Sequence, residues 1–207
     1  MAGLSAEDYD GHAVTEQTSN PSARAWTLPA TRSVAALVVG IPVAFIPHTI
    51  QVGLGAAGAF FVLTAAALAL FARSADEAAA RFGVLAAITG LAAVAAAIML
   101  AVAPEPWALI VLVVAWALAS AAVEFTAARG SDRRARDWRT VAVATAAFGV
   151  LFALTPLLGI ADPVSLTGFF GAYAAIVGVF HAIAAASLAF GARLTQASAA
   201  EPQEVQP

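Results

Sequence analysis

The chain has 207 residues, of which 61% are hydrophobic and 11% charged, with a formal net charge of −3 at pH 7. So apolar a composition excludes an ordinary soluble domain, whose water-facing surface carries about a quarter of the residues as charged groups. Cysteine is absent, which excludes disulfides, thiolate zinc sites, iron–sulfur clusters and thioether-linked haem.

Residues 1–31 are polar, with Glu7, Asp8, Asp10 and Glu16 and no apolar core of the kind a cleavable signal peptide carries. They are predicted to form a disordered tail. Six nearly uncharged runs follow, at about 33–47, 50–72, 82–103, 106–128, 138–161 and 164–191. A spanning helix takes roughly 20 residues, so the last five are long enough and the first is marginal. Residues 33–72 carry no charge, a length that suits two spans, and Pro47-His48-Thr49 is the natural break because proline ends a helix. Residues 194–207 read as a second disordered tail. The expected fold class is an all-α integral membrane domain over 32–193, with six transmembrane helices in three hairpins at about 32–73, 81–129 and 138–193.

The basic residues give an orientation. All ten are arginines. Arg24 and Arg32 precede the first run, and Arg73 and Arg81 lie between the second and third. Arg129, Arg133, Arg134, Arg136 and Arg139 lie between the fourth and fifth, and Arg193 follows the sixth. The connections near His48, Glu105 and Asp162 have none. Positively charged loops stay in the cytoplasm, so both termini and both arginine-bearing loops are expected there, in a multi-pass cell-membrane protein. The loop at 128–139 is foremost a topology anchor. Contact with anionic lipid headgroups, worth ~1 kcal/mol per net charge, is a secondary reading, and no nucleic-acid partner is expected.

Self-similarity has a period near 57 residues. Pro47, Pro104 and Ala161 correspond, as do His48, Glu105 and Asp162; on the returning helices Phe60, Trp116 and Tyr173 match, then Leu68, Glu124 and His181. The second and third units, "ITGLAAVAAAIMLAVAPEPWALIVLVVAWALASAAVEFTAAR" at 88–129 and "GVLFALTPLLGIADPVSLTGFFGAYAAIVGVFHAIAAASL" at 149–188, resemble the HdeD-like acid-resistance membrane proteins. In that family a small-residue helix ending in proline pairs with a returning helix that bears a glycine and a polar or titratable residue. The resemblance covers roughly 32–193. It departs in the short first hairpin and in Leu68, which stands where the titratable residue belongs. It implies a bacterial inner-membrane protein of acid or envelope stress, without an established catalytic centre.

Candidate chemistry is sparse. His181 falls near the middle of the bilayer, where a charged side chain costs ~2.5–3.5 kcal/mol on insertion scales. A neutral ring facing the bundle is expected, tethering helices through a hydrogen bond, with proton handling as the alternative. Glu124, five residues before Arg129, is expected to extend to the headgroup region. A Glu124–His181 pair is suggested by their matching places. His48, Glu105 and Asp162 are either ordinary turn residues or a pH-sensing outer ring.

Thr64, Thr89, Ser120, Thr145 and Ser187 are the scattered hydroxyls from which a polar route would have to be built. "GLGAAG" at 53–58 matches a dinucleotide fingerprint in letters only, since it opens an uncharged helix; close helix packing is the reading there, as at Gly168, Gly171, Ala172, Ala175 and Gly178. Trp26, Trp107 and Trp138 suit interfacial anchors. No phosphate loop, metalloprotease helix or nucleophile elbow is present, and no cofactor or metal is expected. The sequence thus points to a non-enzymatic membrane protein. A small proton-coupled transporter or channel, and an accessory subunit or homo-oligomer held through small-residue faces, are the alternatives.

Overall fold

Among the described residues, prolines and polar turn residues cut the apolar chain into six helices. The computed structural model describes residues 26–73, 79–127 and 133–200. Its helices are α1 (Thr27–Val43), α2 (Ile50–Phe71), α3 (Ala79–Val102), α4 (Pro106–Ala127), α5 (Arg133–Leu154) and α6 (Pro163–Ala200). Four stretches, Ile50–Phe71, Ala80–Val102, Pro106–Thr126 and Pro163–Leu194, are long and apolar enough to cross a membrane; the apolar parts of α1 and α5 are shorter.

Local chemistry explains the ends. Thr49 caps α2, its hydroxyl accepting from the Val52 amide at 3.3 Å, and Pro106 and Pro163 open α4 and α6, where a missing N–H costs nothing. α5 stops at Leu154, short of the expected end of that run, because Pro156 supplies no amide and Gly159 takes a left-handed conformation at φ 69°. The Ile160 amide then donates back to the Thr155 carbonyl at 3.1 Å. α6 runs on to Ala200, so part of the expected tail is helical.

Each returning helix packs most closely on the outgoing helix of the next hairpin: α2 on α3, α4 on α5, and α6 back on α1 to close the ring. α2, α4 and α6 also touch one another in the middle. Side-chain size sets these distances. Against α6, a Cβ at Gly40 would lie 2.5 Å from the Ala175 backbone nitrogen, and one at Gly171 would lie 2.5 Å from Val43 Cγ1, so α1 and α6 nearly touch backbone to backbone. Ser33 Oγ adds a hydrogen bond across this seam, donating to the Gly178 carbonyl at 2.8 Å. α5 meets α6 through large rings instead, with Phe148 stacked on Tyr173 at 3.8 Å and 8°. Outward faces are aliphatic and exposed, for example Val38, Leu91, Val94, Ile176 and Ile183, whereas buried polar groups gather inside. This inverted polarity suits an apolar solvent.

The GxGxxG glycines divide by neighbour. A Cβ at Gly53 would lie 2.6 Å from Thr167 Oγ1, while one at Gly55 would meet nothing within 4 Å. Ala172, expected in the small-residue seam, faces outward.

Candidate functional site

Helical spacing carries one face of each of α2, α4 and α6 inward in steps of four residues, about 6 Å along the axis. Phe60, Thr64 and Leu68 on α2, Trp116, Ser120 and Glu124 on α4, and Tyr173, Val177 and His181 on α6 line one cavity. The outgoing helices complete it with Arg32 and Ala36 on α1, Leu85 and Thr89 on α3, and Val141 and Thr145 on α5. Each hairpin therefore contributes five residues, two from its outgoing and three from its returning helix. The residues matched by the 57-residue period, Phe60 with Trp116 and Tyr173, and Leu68 with Glu124 and His181, face this same space.

The cavity has a polar and an aromatic end. Arg32 Nη2 donates to Glu124 Oε1 at 3.3 Å, with side-chain exposures of 13% and 3%. Glu124 is thus a buried partner of Arg32, contrary to the expected interfacial position. Arg32 itself lies inside α1 and faces the bundle, contrary to the flanking, topology-marking position expected for it. Glu124 and His181 share the cavity, but the carboxylate's ion pair is with Arg32. Ser120 Oγ, Glu124 Oε2 and His181 Nε2 are buried without a hydrogen-bond partner among the described residues. The tether expected of His181 is therefore not made through Nε2; the ring lies edge-on to Phe180, with centroids 5.8 Å apart.

Hydroxyls fill the middle: Trp116 Nε1 donates to Thr89 Oγ1 at 3.3 Å, and Thr145 Oγ1 and the Tyr173 hydroxyl share a hydrogen bond at 3.2 Å. Of the scattered hydroxyls, Thr64, Thr89, Ser120 and Thr145 all converge here, while Ser187 is exposed on the outer face of α6. At the far end Phe60, Trp116 and Tyr173 form a triangle of rings with centroids 5.6, 6.2 and 6.4 Å apart. Beyond it Phe61, Phe170 and Leu109 are fully buried.

The remaining candidates lie apart from the cavity. His48 Nε2 is 2.9 Å from the Val43 carbonyl, and the ring lies beside Gly168. Glu105 is exposed at the start of α4. Asp162 caps α6: Oδ1 accepts from the Val164 and Ser165 amides at 2.9 and 3.0 Å, and Oδ2 accepts from Ser165 Oγ at 2.7 Å. The Ser165 hydroxyl, then the Ser165 and Val164 amides, hold its carboxyl below the usual carboxylate range. A depressed folded pKa stabilises above the unfolded value and is lost as pH falls through the folded one. Asp162→Ala is expected to lower the unfolding midpoint at neutral pH, and the difference from wild type should shrink on acidification as the charge-dependent part of the cap is lost; thermal scans across pH check this.

Arg129 lies outside the described residues, and Arg133, Arg134 and Arg136 are described in their backbone only; Arg139 is exposed at the start of the apolar part of α5. Among the described residues no cluster of three or more His, Asp or Glu side chains is placed to hold a metal ion.

Among the described residues, fold and site together define an all-helical bundle with four helices long and apolar enough to cross a membrane and a charged, hydroxyl-rich interior. Comparison of the chain with protein-family models, with curated proteins and with solved structures found no match.

Proposed function

We propose that the chain is a six-span, non-enzymatic bacterial membrane protein acting in acid or envelope stress, as in the HdeD-like proteins it resembles, with the Arg32–Glu124–His181 chamber as its proton-responsive part. The carrying observation is the convergence of a guanidinium, a carboxylate and an imidazole from α1, α4 and α6 on one buried cavity. Charged groups at such depth are costly and face a bundle interior where they have work to do. A purely structural core gains nothing from them, since apolar replacements of buried ion pairs are often neutral or stabilising. Protonation would charge the His181 imidazole and neutralise the Glu124 carboxylate, so acid changes the charge of the chamber at both groups. The charged and titratable groups that share the cavity with His181 are Arg32 from α1, Glu124 from α4 and Tyr173 on its own helix; α2, α3 and α5 contribute hydroxyls, aliphatic groups and the Phe60 ring.

The six-span reading takes α1 and α5 as short spans: 17 residues of α1 reach about 25 Å, at the lower limit for crossing. The equal contribution of the three hairpins to the cavity supports the repeat, and the arginine-free turns at His48, Glu105 and Asp162 favour a cytoplasmic position for both termini by the inside rule. In cells, Glu124→Gln and His181→Asn are each expected to lower survival of acid challenge at unchanged protein abundance. Wild-type survival with both variants at normal abundance rejects the reading. The proton-coupled transporter draws on the same residues, and proton flux in reconstituted vesicles, abolished by His181→Ala, would favour it.

A further inference from the structure

Three buried polar atoms without a hydrogen-bond partner among the described residues, Ser120 Oγ, Glu124 Oε2 and His181 Nε2, belong to residues that line a cavity of about 20 Å³ at the radius of water. Roughly 10–15 Å³ of such space holds one water molecule, and a buried water typically makes about three hydrogen bonds. The three groups differ in what they need: a carboxylate oxygen only accepts, whereas a hydroxyl and an imidazole nitrogen donate or accept according to rotamer and tautomer. A partner common to all three has to donate to the carboxylate, and water, with two donors and two acceptor lone pairs, can serve the other two in either sense. Charge narrows the choice further. Arg32 already balances Glu124, so a cation would add an uncompensated positive charge and an anion would meet the carboxylate.

We propose that the chamber is a one-ended binding site for a single water molecule, held by Ser120, Glu124 and His181 and reached from the Arg32 end of the bundle. Access follows from the two ends. Arg32 keeps part of its side chain exposed, near the start of α1, and connects the polar end to the surface. The Phe60, Trp116 and Tyr173 rings close the opposite end, backed by a layer with no exposure at Phe61 and Phe170. The site rests on the membrane reading above and deepens it: protons reach His181 through this water from one face of the membrane, and the chamber responds to that face without conducting to the other.

The absence of native cysteine makes single-cysteine variants clean probes. Ser120→Cys, with Thr64→Cys as a second chamber position, is exposed to silver ion, a small ion that does not cross lipid, in right-side-out and inverted membrane vesicles. The thiols that remain are then counted with a fluorescent maleimide after denaturation. Arg73→Cys and Glu105→Cys mark the two faces, and Ala57→Cys, fully buried in α2, marks dry core. Loss of labelling at both chamber positions is expected only from the face that also titrates Arg73→Cys. Loss from the Glu105 face overturns the one-ended access. Full retention from both faces, at chamber positions that label normally without silver, overturns hydration of the site. These outcomes are independent of acid survival; Arg73→Cys and Glu105→Cys reacting from the same face would overturn the hairpin topology beneath both readings.

Discussion

Arg32→Met is expected to lower the unfolding free energy by roughly 3–5 kcal/mol, because it leaves the Glu124 carboxylate buried without its counter-charge. Glu124→Leu is expected to cost less. The guanidinium is the more exposed partner and can turn toward the surface at the start of α1, whereas the carboxylate is enclosed on α4. The double variant Arg32→Met/Glu124→Leu is expected to recover most of the loss, since a well-packed apolar pair often matches or exceeds a buried ion pair in stability. Unfolding in mixed detergent micelles, arranged as a double-mutant cycle, measures the coupling. Additive losses would mean that the two side chains do not interact.

Gly40→Leu is expected to be the most damaging change on the α1–α6 seam. Its first added carbon alone would sit 2.5 Å from the Ala175 nitrogen and 3.0 Å from Ala175 Cα, and backbone atoms cannot swing aside as a side chain can. Overpacking of this kind costs typically ~1–3 kcal/mol, and here it acts where α6 returns to close the ring on α1. Gly55→Ala serves as the control. Its Cβ meets nothing within 4 Å, and alanine is favoured over glycine in a helix interior by roughly 0.5–1 kcal/mol, so an unchanged or raised midpoint is expected. Thermal unfolding of the two variants beside wild type, in the same detergent, distinguishes a backbone contact from a generic intolerance of substitution.

The helices were legible in the sequence because prolines and uncharged length act locally. Pro47 and His48 do separate α1 from α2, and Pro104 and Pro106 bracket the α3–α4 turn. Pro156 was visible too, but the run to 161 was read by its hydropathy, and the left-handed turn at Gly159 ends α5 sooner. The chamber was legible in part. Aligning Leu68, Glu124 and His181 put the right positions in one place, and the same alignment carried four residues back joins Thr64, Ser120 and Val177. Those hydroxyls looked scattered only because the i, i+4 step from Phe60 and Trp116 was not followed around the repeat.

Arg32 was missed for a different reason. Its partner is 92 residues away, so no local spacing announces the pair. Counting it among the topology arginines made it a surface residue by assumption. The available signal was its helical face: four residues on lies Ala36 and eight on lies Gly40, so Arg32 shares a stripe of small residues that only a packed interface uses. Glu124 was placed at the headgroups because Arg129 is close in sequence, and that proximity says nothing about which way the α4 side chain faces.

The most direct measurement is a dipolar-recoupling contact between arginine side-chain nitrogens and glutamate carboxyl carbons in lipid bilayers, on wild type and Glu124→Gln. A close arginine–glutamate contact, from Arg32 Nη2 at 3.3 Å to Glu124 Oε1, is expected in wild type and lost in the variant. Identical dephasing in both proteins would place Glu124 away from any guanidinium and contradict a buried Arg32–Glu124 chamber.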